Sequence, residues 1–84
     1  MEKSKIKGGI NMSYPEMHFV SSSNVAELGY DEESQMVYVR FQNGTLYTYA
    51  NVPIYEYEAL DNASSIGSYL NRNFKNVYPY QRIE

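Results

Sequence analysis

Apolar and polar residues alternate through Met36–Phe41, with Val37, Val39 and Phe41 on one side and Met36, Tyr38 and Arg40 on the other. A period of two predicts a half-buried strand. Asn43-Gly44 follows at once and Thr45–Ala50 is rich in β-formers, so the two runs predict a hairpin. Two registers are open. A two-residue turn on Asn43-Gly44 pairs Phe41 with Leu46 and sets Tyr47 and Tyr49 opposite the face of Val37 and Val39. A three-residue loop with Gly44 in the left-handed region pairs Phe41 with Thr45 and brings Val37, Val39, Tyr47 and Tyr49 together. The second is favoured because it gathers the largest apolar side chains on one face, and a one-residue slip is costly when one face is buried.

Val25–Tyr30 predicts an earlier strand, joined to the hairpin by the polar turn Asp31-Glu32-Glu33-Ser34. Before it, Met1 to about Met17 mixes Lys, Gly, Asn, Ser and Pro without periodicity, which predicts a mobile arm over residues 1–20 and a single domain over 21–84. Pro53 suits the first turn of a helix, where a missing N–H costs no intrahelical bond, and Tyr57, Leu60 and Ala63 form its apolar stripe. Ser64 or Ser65 can cap a second helix presenting Ile66, Tyr69, Leu70 and Phe74, although Gly67 weakens its first turn. Pro79 ends helix and leaves Tyr78–Ile83 extended. The predicted class is α+β: a three-stranded antiparallel sheet, then two short helices packed on one face, then an extended strap across the helices.

At 84 residues the chain makes one small domain with a modest core, which oligomerisation would support. It has no Cys, so disulfides and thiolate metal sites are excluded and a reducing, cytoplasmic setting is expected. His18 is the only His, which excludes an intramolecular site of several histidines, and no metal or cofactor is expected. Lys3, Lys5 and Lys7 precede Gly8, Gly9 and Asn11 where a secretory leader needs an apolar run, so neither a signal peptide nor a membrane span is expected. A net charge of -3 argues against coating duplex DNA.

The charge is nevertheless polarised. From Glu27 to Asp61 the only cation is Arg40, among Glu27, Asp31, Glu32, Glu33, Glu56, Glu58 and Asp61. Asn62–Ile83 contains no acid and carries Arg72, Lys75 and Arg82 among Tyr69, Phe74, Tyr78 and Tyr80. Cations for phosphates and flat rings for bases are the two needs of a nucleotide or single-strand binder. The candidate ligand residues are therefore Asn71, Arg72, Asn73 and Lys75 on the second helix, with Arg82, Tyr69, Tyr78 and Tyr80 beside them. A plain solvated helix end would also favour cations, through the helix dipole. Three Asn around two cations are, however, not what helix propensity selects. Tyr78–Arg82 has an equally simple reading as packing material.

Ten Tyr residues and no Trp can serve a core, an interface or a stacking platform. Tyr47 and Tyr49 are read as core in the favoured register, which leaves Tyr38 and Arg40 on the opposite sheet face as secondary candidates. Ser21-Ser22-Ser23 beside His18 lacks any signature of a nucleophile and base, and is read as a polar lead-in to the strand. Asp31, Glu32 and Glu33 lack the spacing of a calcium loop and are read as a solvated turn.

Taken in order, Ser22-Ser23-Asn24-Val25, Gly29-Tyr30-Asp31, Val39-Arg40-Phe41, Asn43-Gly44, Tyr47-Thr48-Tyr49 and Val52-Pro53 form the first half of a longer series. Tyr57, Leu60, Ala63-Ser64-Ser65, Gly67–Asn71 and Tyr78-Pro79-Tyr80 complete it. The series resembles the KTSC family, named for a module at the C-terminus of some lysyl-tRNA synthetases and found alone as small bacterial and phage proteins. It departs from that pattern at Glu56, where an apolar residue is common, and at Leu70, where an aromatic ring often sits. The resemblance implies the fold neighbourhood and, through the synthetase context, suggests RNA. The expectation is a non-catalytic binding module for a nucleotide-containing ligand, RNA first. The alternatives are a homo-oligomer that captures a small phosphorylated nucleotide between subunits, and a protein-interaction or assembly module.

Overall fold

The structure is a computed structural model and describes residues 14–84. Its elements are β1 (Met17–Phe19), β2 (Val25–Asp31), β3 (Met36–Phe41), β4 (Leu46–Tyr49), α1 (Ile54–Asp61), α2 (Ile66–Asn73) and β5 (Tyr80–Arg82). The strands form one antiparallel sheet in the order β1-β2-β3-β4-β5. The α+β class is as expected, but the sheet has five strands rather than three.

Both additional strands are short edge segments that take their order from a neighbour's ladder. Met17, His18 and Phe19 pair with Gly29, Leu28 and Glu27. Part of the segment assigned to the arm is therefore a sheet edge; residues 1–13 lie outside the described residues. At the other edge Tyr80, Gln81 and Arg82 pair with Tyr49, Thr48 and Tyr47, so the expected strap lies along the sheet and does not cross the helices. The Ala50 N–H donates to the Pro79 carbonyl at 2.8 Å and the Ile83 N–H to the Leu46 carbonyl at 2.8 Å. These bonds satisfy backbone groups of β4 that would otherwise face water.

The hairpin adopts the three-residue loop. Val37 faces Tyr49 and Val39 faces Tyr47. Phe41 N–H donates to the Thr45 carbonyl at 2.9 Å, and Gly44 takes φ +93°, which a side chain would strain. A bulge between Val25 and Glu27 changes the alternation of β2, so Val25 and Leu28 both reach the core three residues apart.

The core lies between this sheet face and the helices, where Val25, Leu28, Val37, Val39, Val52, Leu60 and Phe74 are fully buried. From α1, Leu60 is buried, while Tyr57 stacks on Tyr30 at 4.8 Å between centroids. The Tyr30 hydroxyl in turn donates to the Val52 carbonyl at 2.6 Å, pinning the approach to α1. Ser65 caps α2, its Oγ accepting from Ser68 N–H at 3.3 Å, and Ile66, Leu70 and Phe74 face inward.

The opposite sheet face is also covered. Tyr14 packs on Tyr38 with centroids 5.5 Å apart, and the Glu84 carboxylate accepts from the Tyr14 hydroxyl and from Arg40, each at 2.6 Å. Leu46 and Gly29 are buried on this side. The two hydrogen bonds hold the Glu84 carboxyl below its usual range, with the Tyr14 hydroxyl the larger cause.

Candidate ligand-binding cleft

Between β4, β5 and α2 opens a cleft of about 640 Å³. Its aromatic wall follows from the strand register. Tyr47 and Tyr49 project to the helix side of β4, and the pairing of Tyr80 with Tyr49 brings a third ring to within 6.0 Å of both. Tyr49 is buried and meets Phe74 edge-on at 5.5 Å, so the floor is rigidly tied to the core. Tyr47 is half-buried against Phe41, whereas Tyr80 is 59% exposed. Tyr47 and Tyr49 are thus core residues whose rings also line the cleft.

The polar wall comes from the end of α2 and two loops. Asn71 and Lys75 lie one helical turn apart on α2 and its continuation; Asn24 and Asn43 face the same space. Lys75 N–H donates to the Leu70 carbonyl at 2.9 Å, and Asn76 then reverses the chain at φ +67°, a conformation Asn tolerates. The Asn43 side-chain oxygen accepts from Thr45 N–H at 3.1 Å and Thr45 Oγ1 at 2.8 Å, which orients its amide and leaves the N–H₂ out of these two bonds. Among the described residues Arg40 pairs with Glu84 and the His18 ring hydrogen-bonds Asp61, and neither Lys75 nor Arg72 has a carboxylate partner.

The candidate residues separate into groups. Asn71, Lys75 and Tyr80 meet in the cleft. Tyr69, Arg72 and Asn73 line a second depression of about 260 Å³, together with Ser64, Ser65 and Ser68. There the Tyr69 hydroxyl donates to Glu56 at 2.6 Å, a bond that pushes its pKa up to about 12 and gives the Glu56 carboxylate a partner. The Asn73 amide donates back to the Tyr69 carbonyl at 3.3 Å. Tyr78 packs on Phe74 at 5.1 Å as part of the core margin. Arg82 pairs opposite Tyr47, but its Nε donates to the Glu84 carbonyl at 3.0 Å and it does not line the cleft. Tyr38 and Arg40 stand on the covered face, with Arg40 donating to the Gly44 carbonyl at 2.9 Å as well as to Glu84.

Asn24, Asn43, Phe41 and Thr45 line the cleft without having been singled out as ligand residues. In the sequence Asn43 is half of a turn signal and Asn24 sits in a polar lead-in. Nothing local distinguishes an amide that closes a turn from one that also faces a cavity. The Ser-His pairing finds a structural explanation: Ser22 Oγ accepts from Asn24 and Val25 N–H at 3.2 and 3.1 Å, and His18 Nε2 lies 2.7 Å from Asp61 Oδ1. Asp31 Oδ1 accepts from Glu33 N–H at 3.1 Å, closing the turn.

A five-stranded meander with two helices over one face and an aromatic cleft beneath the second helix describes a small α+β module. The chain belongs to the KTSC domain family, which matches residues 21–78. It is 42% identical over 66 residues to an uncharacterized protein of Stutzerimonas stutzeri, covering 77% of this chain and 93% of that one. A lysine–tRNA ligase of Trichormus variabilis is 33% identical over 61 residues, which are 73% of this chain but only 11% of the ligase. The crystal structure of a KTSC domain protein from Yersinia pestis superposes with a TM-score of 0.77 at 27% identity, covering 82% of this chain and 97% of that one. Among the described residues no helix is long and apolar enough to cross a membrane.

Proposed function

We propose that this protein is a non-catalytic binding module whose ligand contains nucleotides, single-stranded RNA being the first choice. The observation that carries the reading is the cleft itself, where tyrosine rings face the Lys75 cation and the Asn71 amide of the acid-free segment, with the Asn24 and Asn43 amides from two loops. Rings stack on bases of any sequence, Lys75 attracts a phosphate, and the Asn amides can pair with base edges. The occurrence of related segments in lysine–tRNA ligases is consistent with an RNA ligand.

A free nucleotide is the second reading, favoured by one observation: the cleft volume falls within the range of small-molecule sites. The test is a titration of wild type and Tyr80→Ala with fluorescent single-stranded RNA and with a panel of mononucleotides. Loss of one stacking ring should weaken the preferred ligand roughly 5- to 150-fold, corresponding to about 1–3 kcal/mol per stacked base. Melting should change little, because Tyr80 is largely exposed. Absence of binding by wild type to both ligand sets overturns the proposal and moves the assignment to a protein-assembly module.

A further inference from the structure

The two depressions are adjacent: Ser68 lines both, with Asn71 and Lys75 on the side of the cleft and Arg72, Asn73 and Tyr69 on the side of the groove. Helical spacing makes this arrangement continuous. Ser68 stands next to Asn71 and Arg72 at three and four residues, and Asn71 next to Lys75 at four. All four of these side chains are exposed, while Ile66, Leu70 and Phe74 turn to the core. The outer surface of α2 is thus a polar saddle between two concavities, one cation serving each.

Resting on the nucleotide reading above, we infer that the ligand is a strand which crosses this saddle. One base stacks in the cleft against Tyr80 with its phosphate at Lys75, and the adjoining backbone passes Ser68 so that a further phosphate meets Arg72 in the groove. A mononucleotide fills only the first position. The groove is suited to backbone and not to a second stacked base. Its ring, Tyr69, is held by the hydrogen bond to Glu56, whereas the guanidinium of Arg72 and the hydroxyls of Ser64 and Ser68 supply donors for phosphate oxygens. No carboxylate lines either depression among the described residues; Glu56 stands behind the groove, where its Oε2 accepts from the Tyr69 hydroxyl.

The path separates two cations that sequence reasoning placed in one cluster. Uridine monophosphate, a uridine dinucleotide and a uridine hexanucleotide, titrated against wild type, Lys75→Ala, Arg72→Ala and Tyr80→Ala at two salt concentrations, test it. Lys75→Ala should weaken all three ligands several-fold. Arg72→Ala should leave the mononucleotide unchanged, weaken the hexanucleotide several-fold, and reduce the slope of log affinity against log salt for the hexanucleotide by about 0.7, the value of one phosphate contact on a single strand. If Arg72→Ala changes no ligand while Lys75→Ala and Tyr80→Ala still do, the ligand is confined to the cleft; the path is wrong and the nucleotide reading stands. If wild type binds none of the three, and no other nucleotide or RNA, both fall.

Discussion

A methyl group at Gly29 tests whether the segment before the domain's first long strand is truly part of the sheet. Gly29 lies in the middle of β2, opposite Met17 of β1 and Tyr38 of β3. A Cβ there would overlap Met17 Sδ and stand 3.1 Å from the Glu16 carbonyl oxygen and 3.4 Å from Pro15 Cγ. The thioether can swing aside, but the carbonyl belongs to the backbone leading into β1 and must give way. Gly29→Ala should therefore cost about 1–2 kcal/mol, within the usual range for overpacking. For a domain of this size that lowers Tm by roughly 4–16 °C. In a chain beginning at Ser21 the clash is gone, and the same substitution should stabilise by about 0.4–1 kcal/mol through the unfolded state. Urea and thermal unfolding of the four proteins measure the difference. Equal effects in the two backgrounds would refute the docking of β1. Should the shortened chain fail to fold, exchange of the Val20 amide in the full chain decides, because that N–H donates to the Ala26 carbonyl at 3.1 Å and should lose protection in Gly29→Ala.

Two further outcomes follow from titratable groups. The native Glu84 carboxyl has a lowered pKa, so its contribution to stability is present above the unfolded value and is lost as pH falls through the native one. The Ile83 and Glu84 amides, which donate to the Leu46 carbonyl, should lose protection against exchange in acid, relative to the intrinsic rate at the same pH, and Glu84→Gln should remove that pH dependence. Tyr69 has the opposite sign: its native pKa near 12 exceeds the ordinary 10, so the stabilisation it contributes is full below pH 10 and disappears as pH rises toward 12. Glu56→Gln should lower the Tyr69 titration toward 10 as followed by NMR of the ring, and an unchanged titration would mean that the Glu56 bond is not its cause.

Local chemistry by itself determined the hairpin. Asn43-Gly44 and the alternation of Met36–Phe41 located it and left two registers open; the apolar weight of Tyr47 and Tyr49 favoured the one observed, because the other would have turned those rings away from the face of Val37 and Val39. The same holds for the cap at Ser65 and the buried stripe of α2, which short-range rules specify. The family was legible too, since its ordered series of motifs runs through that part of the chain. The edge strands were not legible. Met17–Phe19 and Tyr80–Arg82 are three residues each and bury little side chain, too short for a period to show; what orders them is the ladder of β2 and β4, and for β5 that ladder is distant in sequence. That distance also explains the partial reading of the site. Composition located the acid-free, ring-bearing segment, but only the docking of β5 on β4 carries Tyr80 beside Tyr49, and only the packing of α2 over the sheet divides Lys75 from Arg72. Asn24 and Asn43 join Lys75 from loops far along the chain for the same reason: a cleft is a relation among elements, fixed by long-range pairing and burial and encoded at no single position.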